Sequence, residues 1–232
     1  MHRINDSLSQ LKKQIQASAA RAGRNAKDIT LLGVSKKQSD DKIIAAIEAG
    51  LEDFGENYLQ ESLSHIELAQ SSTVVNKPKW HFIGPIQSNK TRAIAENFAW
   101  VHSVDRLKIA QRLSEQRSEA LGKLQVCLQV NIDGEASKAG ASKNEVAELC
   151  LSINQLPHLQ LRGLMIIPRA RNNYDEQRQV FAQARELMQK INRDHKLTMD
   201  TLSMGMSADM DAAIAEGATI VRIGSALFGA RS

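Results

Sequence analysis

Residues 28–37 read DITLLGVSKK. The apolar run ITLLGV has the length and content of a buried strand. It stops abruptly at Ser35, Lys36 and Lys37. Just beyond, Ser39 stands where a helix N-cap is expected, and Asp40 and Asp41 fall in the first turn. Ile43, Ile44 and Ile47 then share one helical face, and Gly50 ends it. One strand followed by one helix is the unit from which the rest of the chain is built.

Upstream, Ile4, Leu8, Leu11 and Ile15 mark an additional amphipathic helix. Downstream, strand-like runs recur: EDFGEN (52–57), KWHFIG (79–84), WVHSV (100–104), KLQVCLQVNI (123–132), LQLRGLMII (159–167), TLSMGM (201–206) and TIVRIG (219–224). Helical patterns lie between them, at 59–69, in NEVAELCLSINQL (144–156) and in YDEQRQVFAQARELMQKI (174–191). Eight alternations argue for parallel strands joined by helical crossovers. In 232 residues that makes an α/β chain with a single (β/α)8 TIM barrel, expected as one domain over 1–232. A doubly wound open sheet is the alternative, but no G-x-G-x-x-G follows the first strand.

Composition narrows the function classes. Thirty basic against 26 acidic residues give a net charge of +4, without a run of five basic residues. Aromatic residues make up only 4%. The charged stripe and stacking platform of a nucleic-acid binder are not evident, whereas a small anionic ligand suits the chain. Cys127 and Cys150 form no C-x-x-C, and Cys127 lies inside LQVCLQV, as a core cysteine would in a reducing compartment. The six histidines lack metal-ligand spacing, so no metal site is expected. The N-terminus carries charges throughout and no signal-peptide core, and no apolar stretch reaches the roughly 20 residues of a membrane span. A soluble, cytoplasmic protein that engages neither membrane nor nucleic acid is expected.

A TIM barrel gathers its site at the C-terminal ends of its strands. Read there, the sequence offers Ser35 and Lys36, then Asn57, His81, Ser103 and Asn131, then the MIIP, GMS and RIGS turns. The last two turns carry the clearest signal. Ser207 is expected at a helix N-cap with Asp209 and Asp211 in the first turn, and Gly224 and Ser225 open another helical segment. Glycine, hydroxyls and helix-start N–H groups suit a phosphate, and the loops after strands seven and eight are the common phosphate site of this fold. As an N-cap alone, Ser207 would have a purely structural role.

A phosphate beside a lysine on strand one points to pyridoxal 5′-phosphate, with a Schiff base to the lysine amine. Successive strand residues point to opposite sides, so one of Lys36 and Lys37 can face inward, and Lys36 is the choice. A solvated rim lysine is the alternative for Lys36. Arg222 lies inside the apolar run TIVRIG and must have a partner there. That partner is either an acidic residue or the pyridine nitrogen of the cofactor. A guanidinium would leave that nitrogen unprotonated and weaken the ring as an electron sink.

LLGVSK (31–36), FGENYLQE (54–61), WHFIGPIQSNK (80–90), SVD (103–105), GLMIIP (163–168), LSMGMSADMDAAIAEGAT (202–219) and VRIGSALFG (221–229) resemble, in order and spacing, the YggS/PROSC family of pyridoxal phosphate homeostasis proteins. The resemblance runs over about 29–231. It implies the fold of the alanine racemase N-terminal domain, with the cofactor held as an aldimine on Lys36. It further implies phosphate contacts from Ser207, Gly224 and Ser225 with Ser203 nearby, Arg222 facing the pyridine nitrogen, and Asn57 and His81 lining the cofactor. Core or rim packing for His81, and a turn role for Asn57, stay open. The family often has threonine and a nearby proline after the lysine, where this chain has Lys37, Gln38 and Ser39. NIDGEASKAG (131–140) also resembles the family; its Lys138 is either a solvated loop residue or a second amine for transient capture.

The implied role is a non-catalytic carrier in vitamin B6 homeostasis, reaching pyridoxal-phosphate-dependent apoenzymes transiently and acting as a monomer. The alternative is an amino-acid racemase-like enzyme. Racemisation needs an acid–base group on each face of the substrate carbon. Lys36 could serve one. The other is expected to be lacking, because the chain ends at Ser232 without the racemase β-domain, and its only tyrosines are Tyr58 and Tyr174. A sugar-phosphate barrel, with Lys36 making only an ion pair, is the third class.

Overall fold

Alternating apolar strands and one-sided helices have a simple way to bury both faces: strands close into a cylinder and helices cover it. The computed structural model describes residues 2–72, 77–135 and 138–229 and has this form. Helix α1 (His2–Arg21) precedes β1 (Thr30–Val34), α2 (Asp40–Glu48), β2 (Asp53–Glu56), α3 (Leu59–Ser71) and β3 (Lys79–Phe82). Next come α4 (Thr91–Asn97), β4 (Trp100–Val104), α5 (Leu107–Gln116), β5 (Leu124–Val130), α6 (Val146–Asn154) and β6 (Leu159–Ile166). The chain continues through α7 (Tyr174–His195), β7 (Thr201–Ser203), α8 (Met210–Ala215), β8 (Ile220–Ile223) and α9 (Ser225–Phe228). The strands form a closed parallel barrel in sequence order, β8 returning to β1.

Residue alternation sorts the side chains into two compartments. Between strands and helices runs one apolar shell, which includes Phe54, Phe82, Val101, Leu128 and Val221, and in which Ile4, Leu8, Leu11 and Ile15 of α1 take part. Leu32, Cys127, Met165 and Ile220 are equally buried but lie outside that shell, on the opposite parity of their strands. They share the barrel interior with polar residues: His81, His102, Ser203 and Arg222 are all buried. Both cysteines are buried and free, and burial pushes each thiol up to about 12, so neither is a ready nucleophile.

Two expectations need correction. The seventh strand ends at Ser203 rather than Met206. Gly205 adopts φ +93°, and a Cβ there would meet the Ala213 side chain, so the chain leaves the sheet at a position only glycine tolerates. Ser207 is also not the cap of α8. Asp209 is that cap, and its Oδ1 accepts from the Met206 N–H at 2.6 Å. Ser207 therefore sits in the turn before the helix, exposed. By contrast, Ser39 and Gly224 occupy the N-cap positions of α2 and α9 as expected.

Candidate functional site

The site is built where β1, β2, β7 and β8 end. Leu32 pairs with Arg222 and Gly33 with Ile223 across the β1–β8 ladder, so the inward residues of β1 are Leu32 and Val34. Ser35 falls on the opposite side: its hydroxyl donates to Glu56 Oε1 at 2.5 Å, and His65 Nδ1 of α3 reaches the same oxygen at 2.8 Å. Lys36 follows on the inward alternation and is half-buried. A tight turn follows, closed by Gln38 N–H donating to the Ser35 carbonyl at 3.1 Å. Lys37 takes a left-handed φ of +57° within it. Its backbone N–H meets Glu61, and its ammonium lies 5.7 Å from the Tyr58 ring centre, on the α3 side. The two lysines thus separate.

Asn57 follows the last residue of β2. Its carboxamide oxygen is buried and has no hydrogen-bond partner among the described residues. Such an acceptor costs free energy unless a donor arrives.

Arg222 is buried, and burial lowers its guanidinium to about 10. It donates to the Ser203 carbonyl at 2.6 Å, the Ser203 hydroxyl at 2.9 Å and the Ile166 carbonyl at 2.9 Å. Among the described residues no carboxylate forms an ion pair with it. The acidic-partner alternative for Arg222 is therefore not what the fold provides. It clasps the C-terminal ends of β6 and β7 instead.

Ser203 lies deeper than Ser207 and Ser225. Its hydroxyl is engaged by Arg222 and by His102 Nδ1 at 2.8 Å, and the residue is fully buried. That places it inside the barrel, behind the mouth. His81 also lies within the barrel: Nε2 is 3.0 Å from Asp53 Oδ1 and Nδ1 is 2.9 Å from His102 Nε2. His102 and Asp53 were not singled out in the sequence. Their signal was present in the matching parity of two imidazoles on adjacent apolar strands.

The loops after β7 and β8 run side by side, because Arg222 N–H donates to the Gly205 carbonyl at 2.9 Å. Two residues beyond each lie Ser207 and Gly224, with exposed Ser225 next. Lys138 pairs with Glu135 at 2.7 Å on the β5 side; residues 136 and 137 of that loop lie outside the described residues. Among the described residues no cluster of three or more His, Cys, Asp or Glu could hold a metal ion. No described helix is long and apolar enough to cross a membrane.

The family model of the alanine racemase N-terminal domain matches residues 7–232. A pyridoxal phosphate homeostasis protein of Pseudomonas aeruginosa is 53% identical over 232 residues, which is 100% of this chain and 97% of that protein. The chain belongs to the pyridoxal phosphate homeostasis protein family. A second member, from Escherichia coli strain K12, is 47% identical over 231 residues, 100% of this chain and 98% of its own. The solved structure of PipY from Synechococcus elongatus PCC7942, with PLP bound, superposes with a TM-score of 0.85 at 33% identity, covering 97% of this chain and 100% of that one. Within the family, Lys37–Gln38–Ser39 was this chain's departure, and the turn from Ser35 to Gln38 is the shape that segment takes.

Proposed function

We propose that this chain binds pyridoxal 5′-phosphate at the C-terminal mouth of its barrel and serves in the homeostasis of that cofactor, without catalysing a reaction of its own. The observation that carries the reading is the pairing of a half-buried Lys36 on the inward alternation of β1 with the unpartnered, buried oxygen of Asn57 at the end of β2. The relatives' shared name and the PLP held by PipY support it.

When bound, the cofactor supplies an aldehyde that a lysine amine captures as an imine, with loss of water. Lys36 is the amine we assign, because Lys37 turns toward Glu61 and Tyr58. Asn57 offers an acceptor for a hydroxyl of the ring. Arg222, held rigid by two carbonyls and a hydroxyl, would donate to the pyridine nitrogen. Ser207, Gly224 and Ser225 would hold the phosphate: both serines are exposed, and Ser207 is relieved of capping by Asp209. Ser203, bonded to Arg222, and His81, bonded to His102, would form the floor beneath the cofactor, with Ser203 near the phosphate end.

The carrier reading is favoured over a racemase-like one by the chemistry at Tyr58. A racemase needs a second acid–base group across the substrate from the lysine. Tyr58 is 49% exposed and lies beneath Lys37. We further propose that residues 1–232 act as one cofactor-binding domain, monomeric and cytoplasmic, meeting apoenzymes transiently. The test is an absorbance spectrum before and after borohydride, with peptide mapping of the pyridoxyl adduct. A visible band and an adduct on Lys36 support the reading. No band after adding pyridoxal 5′-phosphate would return the chain to an unassigned phosphate-binding barrel.

A further inference from the structure

Five polar side chains thread the barrel from one mouth to the other. Asp53 opens β2 at the N-terminal mouth, where its 14% exposed carboxylate faces a cleft of about 520 Å3 beside α1. His81 Nε2 lies 3.0 Å from Asp53 Oδ1, and His81 Nδ1 lies 2.9 Å from His102 Nε2. His102 Nδ1 is 2.8 Å from Ser203 Oγ, which is 2.9 Å from an Arg222 nitrogen.

The ends of this chain fix its direction. A guanidinium only donates and an ionised carboxylate only accepts. His81 therefore donates from Nε2 to Asp53. Burial disfavours the charged form of both imidazoles: it lowers His81 against the opposing pull of Asp53, and it lowers His102 well below the ordinary histidine value, with the Arg222 charge acting in the same sense. A neutral His81 carrying Nε2–H accepts at Nδ1, so His102 must donate from its own Nε2. His102 then accepts at Nδ1 from the Ser203 hydroxyl, leaving that oxygen to accept from Arg222. Every donor points the same way, from cation to anion. The charged and titratable groups facing the pair are Asp53 on β2, Lys79 on β3 and Arg222 on β8. The Cys127 thiol on β5 senses Arg222 and stays protonated. Trp100 stacks on His81 with ring centres 5.5 Å apart, which holds the imidazole plane.

We propose that Asp53, His81 and His102 are positioning residues for the cofactor site: their one-way hydrogen-bond chain orients Ser203 and Arg222 and couples the ring-nitrogen end of that site to the cleft at the opposite mouth. The proposal rests on the reading that Arg222 meets the ring nitrogen. The chain is a hydrogen-bonded route to a carboxylate for a buried cation that makes no direct ion pair among the described residues and feels Asp209 only through space.

Nitrogen-15 spectra of the full-length, cofactor-free protein test the chain by itself. Both imidazoles are expected as neutral Nε2–H tautomers between about pH 7 and pH 8. A Nδ1–H on either one, or a charged His102 in that range, overturns the proposal. Asp53→Asn, which does not touch His102, is expected to shift the His102 ring nitrogens; unchanged His102 signals overturn it too. With pyridoxal 5′-phosphate added, Asp53→Asn is expected to move the pH profile of the visible band in part of the way that Arg222→Gln does. A profile identical to the unsubstituted protein overturns the coupling. If Arg222→Gln itself leaves the band unchanged, the ring-nitrogen reading falls and takes the coupling with it, an outcome separable from a failed tautomer pattern.

Discussion

Gly84 lies so close to the carbonyl of Asn57 that a Cβ on residue 84 would collide with the Asn57 backbone. The Gly84 carbonyl in turn accepts the Ser103 hydroxyl at 2.5 Å, which ties the loop after β3 to β4, so that this loop is pinned where it packs on the Asn57 backbone. Asn57 is thereby held in place from outside the site.

Gly84→Ala is expected to cost about 1–3 kcal/mol, as overpacking against backbone does. In a chain of this length that lowers Tm by several degrees. Thermal unfolding checks the stability, and equilibrium dialysis of pyridoxal 5′-phosphate checks the displaced Asn57. Unchanged melting and retention would show that the two loops shift freely.

Lys36→Ala should abolish the visible band and the borohydride adduct, whereas Lys37→Ala should leave both. The turn that separates the two amines gives this contrast. An unchanged band in Lys36→Ala, read by absorbance and mapped by mass spectrometry, would move the covalent bond to another lysine.

Ser207→Ala with Ser225→Ala should weaken cofactor retention about tenfold to a thousandfold, from two hydrogen bonds to a charged group at about 1.5–3 kcal/mol each, without full additivity. Neither hydroxyl caps its helix through a side-chain bond, so Tm should barely change. Dissociation rates measured by spectral decay distinguish this from a folding defect; equal rates would place the phosphate elsewhere.

Acid should destabilise the fold through His81 and His102. Both are held below the ordinary histidine value by burial. Below about pH 6.5 the unfolded chain takes up protons there that the folded chain refuses, so stability falls as pH falls, by up to about 1.4 kcal/mol per pH unit for each proton. His65 opposes this. Burial acts to lower it, but the Glu56 hydrogen bond and charge outweigh burial and raise it. Its contribution is full below about pH 6.5 and fades as pH rises through the raised value. Urea unfolding should show a shallower slope below about pH 6.5 for His102→Gln, and for His65→Gln a loss of the stability gained above that point as pH falls toward about 6.5. Parallel slopes for all three proteins would contradict the assignment.

Much of this was legible in the chain because barrel strands alternate strictly. ITLLGVSK announces β1 and puts Lys36 on the parity of Leu32 and Val34. The polar residues closing β1, β2, β7 and β8 marked the mouth for the same reason. Ser207 was misread because Asp209 competes for the cap two residues later, and local spacing alone does not choose between them. Parity says that Ser203 and His81 face inward but not how deep they lie, and their depth is legible only from the bonds to Arg222 and His102. The role of His102 needed His81, Ser203 and Asp53 beside it, and these come from strands far apart in sequence.

β7 is the shortest strand, three residues long, and meets β8 through the Ser203–Ile220 pair. Arg222 spans this thin seam, tying the final carbonyls of β6 and β7 from within β8. It works as a latch on the wall of the barrel. Any substitution at 222 loosens that wall as well as changing what the mouth presents, so cofactor affinity and barrel closure cannot be tuned separately at this residue.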